Sequence, residues 1–142
     1  MDRRIIRENI MQFVYQMDVT DNFDYEQLTC VEEAEKALKQ NQATDTLNAI
    51  RDHISEIDKL ISKNIDNWDI NRLPKADLAI LRTALAEILY VDSIPTNVSI
   101  NEAVELGKIY GDERSYAFIN SVLGKINREL NEQQILSWHR YI

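Results

Sequence analysis

Three arginines stand within the first seven residues: Arg3, Arg4 and Arg7. Arg3 and Arg7 are four apart and share one face of a helix, with Arg4 beside them. A guanidinium is a planar fork of donors that matches phosphate oxygens two at a time. Cations near a helix N-terminus oppose the helix dipole, so this placement has no local stability reason. Two readings follow: a helix start with solvated arginines, or a short contact for phosphate or RNA. A second cluster lies further on. Lys108, Arg114 and Lys125 surround a turn that holds Tyr110, Tyr116 and Phe118. Basic groups interleaved with aromatic rings suit single-stranded RNA, whose bases stack on the rings. Phe118 alone, beside Ile119 and Val122, reads as a core residue.

Catalytic chemistry finds little support. His53 and His139 lie far apart, and His53 sits in an isoleucine-rich helix as a surface or boundary residue. No His, Cys, Asp or Glu cluster has the ligand spacing of a zinc site, and no glycine-rich phosphate loop exists. Cys30 is the one cysteine; it permits no internal disulfide, suits a reducing compartment and reads as a small core residue. Glu32, Glu33 and Glu35 read as a solvated helix face. Neither an enzyme, a cofactor nor a metal is expected. No apolar run approaches a membrane span, and Met-Asp-Arg-Arg does not begin a signal peptide, so a cytoplasmic setting is expected.

The elements that must position these residues are helices. The 142 residues include only 3 Gly and 2 Pro, too few for the turns of a sheet protein. Ile6, Ile10, Phe13, Val14 and Met17 place a helix over 4–17. Residues 18–24 are turn chemistry, with Asp24 and Gln27 set to cap a helix over 25–40. Leu47, Ile50, Ile54, Ile57 and Ile61 form the seam of a helix over 45–63. A bend follows at 64–68. Pro74 opens a helix over 75–91 that is apolar almost all round and therefore central. Ser99 with Glu102, framed by Val98 and Ala103, reads as a capping box for the next helix, which stops at Gly111 as a left-handed C′ residue. Ser115 caps the last core helix, and 131–142 has no assigned place. The expectation is an all-α single domain of about six to seven helices.

Charge qualifies this picture. The net charge of −8 argues against a protein that coats nucleic acid nonspecifically. Its distribution is uneven: −10 over residues 18–107, and +1 over each of 1–17 and 108–142. The acidic middle suits a basic protein partner.

Three blocks, RRIIRENIMQFVYQMD at 3–18, LPKADLAILRTALAEIL at 73–89 and IPTNVSINEAVELGKIYGDERSYAFINSVLGKI at 94–126, closely resemble the NusB family of bacterial transcription antitermination factors. Residues 19–72 match only in helical character and in Trp68. The resemblance implies two small helical bundles packed together, with 1–130 as the NusB-like RNA-binding domain and 131–142 as a tail. It implies a partner, NusE, which is also a small-subunit ribosomal protein. It implies binding as a pair to the single-stranded boxA element of ribosomal RNA leaders, so that RNA polymerase, with other Nus factors, reads through terminators. By the same resemblance Arg3, Arg4 and Arg7 are RNA contacts, Gln12 is a weaker one, and Phe118 becomes a stacking ring; Lys108 and Arg114 join them as RNA candidates from the basic and aromatic cluster. Tyr15 and Asp77 match positions that face NusE. Arg82 reads as a structural ion-pair former.

The chain departs from the family at four positions. Ile5 stands where a further arginine is often seen, Gly107 where alanine is expected, and Ser121 where glycine follows Asn120. Arg114 stands where some relatives carry an acid. Whether the free chain is a monomer or a homodimer is not fixed by the sequence. The competing reading is a helical protein-interaction module without RNA binding. A third is an accessory piece of an RNA methyltransferase, since NusB-like domains also occur fused to such enzymes.

Overall fold

The computed structural model describes residues 3–25, 39–66 and 69–139, with the backbone alone over 135–139. The helix expected over 25–40, Cys30 and Trp68 lie outside the described residues, apart from the ends of that helix. Among the described residues there are five α-helices and one 3-10 turn, and no strand. They are α1 (Arg3–Val19), α2 (Asn41–Lys63), the turn Ile70–Arg72, α3 (Lys75–Tyr90), α4 (Thr96–Tyr110) and α5 (Ser115–His139). Among the described residues the all-α expectation holds, and α5 runs unbroken through position 130 to His139.

Helix α3 is the axis of the fold. Every residue from Asp77 to Glu87 is buried. Helices α1 and α2 pack on it and on each other, and α4 and α5 do the same from the other side. Two three-helix groups therefore share α3 and one continuous core. That core takes the expected stripe of α1, Ile6, Ile10, Phe13, Val14 and Met17. Each such side chain contributes roughly 1.5–3 kcal/mol on burial. From α2 it takes Leu47, Ile50, Ile57 and Ile61, while Ile54 is only half-buried. The seam slips there because His53 leaves helical geometry (φ −128, ψ 23). Its ring stacks on Tyr90 with centroids 4.1 Å apart, the boundary position expected of it.

The helix ends differ from the sequence reading in an instructive way. Helix α4 starts at Thr96 behind Pro95 with no side-chain cap. Ser99 is buried and donates instead to Glu87 (3.2 Å), and Glu102 faces α1, so the expected capping box does not form. Gly111 is extended (φ −93, ψ −174), not left-handed. Among the described residues the left-handed one is Asp21 (φ 53). It closes α1 in a Schellman arrangement, with Asn22 N–H donating to the Met17 carbonyl (3.0 Å) and Asp21 N–H to that of Asp18 (3.2 Å).

Gly111 is needed for room: a Cβ there would overlap the Ser115 side chain. Gly107 has the same reason, since its Cβ would lie 2.9 Å from Ile119 Cδ1 and 3.2 Å from Tyr116 Cα. The small residues of α4 let α5 cross it closely. Helix α5 is capped by Asp112 and Ser115 together. Asp112 Oδ1 accepts from Arg114 N–H (2.8 Å), and Ser115 Oγ accepts from Asp112 N–H (3.0 Å).

Candidate nucleic-acid interface

The N-terminal arginines do not act alike. Arg3 is exposed. Arg4 reaches across to α4 and forks onto Glu102, both contacts at 3.1 Å and close to the surface. Arg7 points inward, with 4% of its surface exposed. It holds Glu87 on α3 through contacts of 2.6, 2.8 and 3.2 Å. Burial alone would lower the guanidinium's pKa, but the hydrogen bonds and charge of Glu87 outweigh it and the net direction is up. Ser99 gives the same carboxylate a further donor. The helix stripe that makes Arg3 and Arg7 neighbours thus separates them in environment. Arg7 still edges a cleft of about 320 Å³ formed with Arg3, Arg4, Val98 and Glu102.

A larger groove of about 700 Å³ connects two clusters that are distant in sequence. Arg4 stands at one wall, and Lys108, Tyr116, Asn120 and Ser121 form the others. Lys108 lies 5.7 Å from the Tyr116 ring centre and pairs with Glu105 at 3.1 Å. Both basic groups of the groove therefore carry an acid beside them. Gln12 is exposed on α1, where Tyr110 of α4 hydrogen-bonds to it and to Glu8. Burial, then Glu8, raises the Tyr110 phenol's pKa.

Phe118 and Arg114 open on a different cleft, of about 400 Å³, between the start of α3 and the start of α5. Phe118 is half-buried, with one part packed on the core. Arg114 is exposed at the rim, and Leu73 and Pro74 line the wall. Asp77, expected to face a protein partner, lies in this cleft and is only 4% exposed. Its Oδ1 has no hydrogen-bond partner. Burial raises its pKa; a hydrogen bond from Ser115 opposes the rise, and Asp112 adds to it.

Tyr15 is 41% exposed on the outer face of α1, in one stripe with Ile5 (47%) and Val19 (56%). Tyr15 is thus open on the surface of α1, whereas Asp77 is buried in the cleft that Phe118 lines.

Arg82 is the ion-pair former expected, forked onto Asp58 (2.9 and 2.8 Å) with Asp18 at 3.3 Å. Sequence reasoning missed Arg72, which stands exposed at the rim of the Phe118 cleft. Its only signal was a basic residue just before the Pro74 helix start. Sequence reasoning also missed Glu87, Glu102 and Glu105 as the carboxylates that meet the basic groups. Among the described residues no group of three or more His, Cys, Asp or Glu is placed to hold a metal, and no helix is long and apolar enough to cross a membrane.

The fold and its clefts define a class: an all-helical domain whose polar chemistry lies in open clefts between helices, the layout of a binding protein. Comparison with known proteins makes this specific. The NusB family model matches residues 4–128, and the chain belongs to that family. The transcription antitermination protein NusB of Bacillus subtilis is 36% identical over 137 residues, covering 93% of this chain and 99% of the relative. That of Finegoldia magna is 40% identical over 132 residues, 89% of this chain and 93% of the relative. Among solved structures, T. maritima NusB superposes with a TM-score of 0.75 at 32% identity, over 91% of this chain and 92% of that one. A structure of antitermination factors NusB and NusE in complex with dsRNA shares the fold, with a TM-score of 0.65 at 24% identity over 89% and 96% of the two chains. Family membership places the protein among non-enzymatic transcription factors.

Proposed function

We propose that this protein is a transcription antitermination factor that binds boxA-type RNA of ribosomal RNA leader transcripts as a heterodimer with NusE. It would promote readthrough by RNA polymerase, with other Nus factors, in the cytoplasm. The observation that carries this reading is the groove that brings Arg4 of the first helix to Lys108 and Tyr116. It sets one residue of the N-terminal arginine cluster beside two of the basic and aromatic cluster. The family's names, and the NusB–NusE complex with dsRNA among its structural neighbours, support the same partners. Arg3, Arg4 and Lys108 would meet phosphates, with Gln12 beside them. Arg7 would contribute chiefly by fixing α1 onto α3. Tyr15, in its exposed apolar stripe, would face NusE.

The test is titration of boxA RNA and a scrambled control with the purified pair and with the chain alone. The pair should bind boxA more tightly than either protein alone, and the affinity should fall steeply with salt. The reading fails if NusE gives no gain and the Arg3→Ala, Arg4→Ala double variant binds as wild type does.

A second reading, a protein-interaction module without RNA binding, is favoured by one observation: Arg4 and Arg7 each face a carboxylate. It predicts normal pairing with NusE and no RNA signal at any salt.

A further inference from the structure

Three helices meet at one carboxylate beneath the arginine cluster. Glu87 of α3 has no exposed side-chain surface. It accepts from Arg7 of α1 at 2.6, 2.8 and 3.2 Å and from the hydroxyl of Ser99 of α4 at 3.2 Å. Arg3 and Arg4 lie about one turn before Arg7 on the same helix and are exposed. The three arginines line one cleft with Val98 and Glu102, and Arg7 is the buried member of that lining. The pair of Arg4 with Glu102 is near the surface, where a phosphate can displace the carboxylate. The Arg7 pair is different. Carrying Arg7 out to a phosphate would leave Glu87 charged and unpaired in the core, which disfavours that state by a factor on the order of 10²–10³. A hydrated, screened phosphate contact returns less.

We propose that Glu87 and Ser99 are positioning residues of the RNA-binding face: they hold Arg7 as the fixed point of α1, so that Arg3 and Arg4 meet phosphate and Arg7 does not. The proposal rests on the RNA-binding reading above and narrows it. Donors from two helices orient the carboxylate, and the planar fork of Arg7 on it fixes the roll of α1 about its axis. That roll decides whether Arg4 reaches the groove it shares with Lys108. Apolar packing alone leaves the roll less defined, because it has no direction.

The test titrates boxA RNA with the purified NusE pair over a range of salt, beside urea unfolding of each variant chain. Arg7→Met with Glu87→Met removes both charges and keeps the core filled. It should weaken binding about 3–10-fold with the salt slope unchanged, because no phosphate contact is lost. Glu87→Gln takes away the buried counter-charge of Arg7; the guanidinium should turn out to phosphate and the salt slope steepen by about one. Glu87→Asp keeps the charge and should return the wild-type slope. Ser99→Ala leaves the ion pair in place, so it folds even where Glu87→Gln does not, and should weaken binding about 2–3-fold at unchanged slope. If the Arg7→Met, Glu87→Met variant flattens the slope by about one, Arg7 itself meets RNA and the proposal is overturned. If that variant and Ser99→Ala bind as wild type does and only the urea midpoint moves, the network is structural alone; the proposal falls and the RNA reading stands. Arg3→Ala with Arg4→Ala should flatten the slope by about two. If that loss is absent as well, the RNA reading falls with the proposal.

Discussion

Arg7 and Arg72 carry the same guanidinium into opposite surroundings. Arg7 lies one turn into α1 and holds Glu87, a carboxylate with no exposed side-chain surface, beside the hydroxyl of Ser99. Arg72 ends a 3-10 turn and stands in solvent at the rim of a cleft, with no acid of the protein on it. The difference teaches where a cation is structural and where it is available. A guanidinium whose donors already meet a buried carboxylate gains little from a phosphate, because it must first give up that partner. One held only by water gives up counterions and loosely held water. The N-terminal arginines are the more conspicuous cluster in the sequence, yet two of the three face glutamates. The cleft at Phe118 is less conspicuous and keeps its two arginines open.

The largest expected effect tests the structural side of this contrast. Arg7→Ala leaves Glu87 buried without its partner and should cost about 3–5 kcal/mol in a urea unfolding measurement. Arg72→Ala should stay within about 0.5 kcal/mol of wild type in the same assay. Equal costs for the two would break the comparison.

Next in size is the turn that carries Arg114. Gly111→Ala drives a methyl into the Ser115 side chain and should destabilise by about 1–3 kcal/mol in thermal unfolding. It should also displace the Asp112 and Ser115 cap and with it the rim of the cleft.

Asp77 sharpens the comparison through pH. Burial sets its folded pKa above 3.8, its ordinary value. The folded state therefore takes up this proton more readily than the unfolded state, and the carboxyl burdens the fold as pH rises through its folded pKa. Asp77→Asn should melt at a higher temperature than wild type at neutral pH. The gap should close as pH falls toward 3.8. A gap that widens on acidification would show that Asp77 is stabilised as an anion.

The smallest effect concerns Arg4. Its pair with Glu102 is near the surface and is worth about 0.2–1 kcal/mol. Glu102→Gln should therefore change stability little. By removing the acid beside Arg4 it should raise RNA affinity by no more than about fivefold. A larger gain would mean that Glu102 suppresses binding at the groove as strongly as Glu87 anchors Arg7.

Much of this was legible in the residues. The stripe of α1, the central place of the 75–91 segment and the helical character of the described residues all followed from apolar spacing and from the shortage of glycine and proline. The resemblance of 94–126 to the NusB family pointed to Phe118, which spacing alone would have left in the core. Other features were not legible. Ser99 and Glu102 have capping-box spacing, but Pro95 had already started the helix, so both side chains were free to meet Glu87 and Arg4. Gly111 has the type of a left-handed cap, yet the left-handed turn fell on Asp21, and glycine serves Gly111 by leaving room for Ser115.

Sequence by itself determined the helices, the family and the kinds of side chain available for RNA, because those depend on local periodicity and residue chemistry. Tertiary structure decided which cations are available and which acid shares a cleft with Phe118. The reason is distance: Arg7 and Glu87, or Arg72, Asp77 and Phe118, meet only after α1, α3 and α5 have packed. The dielectric and hydrogen-bond partners that set each group's role exist only once that packing is complete.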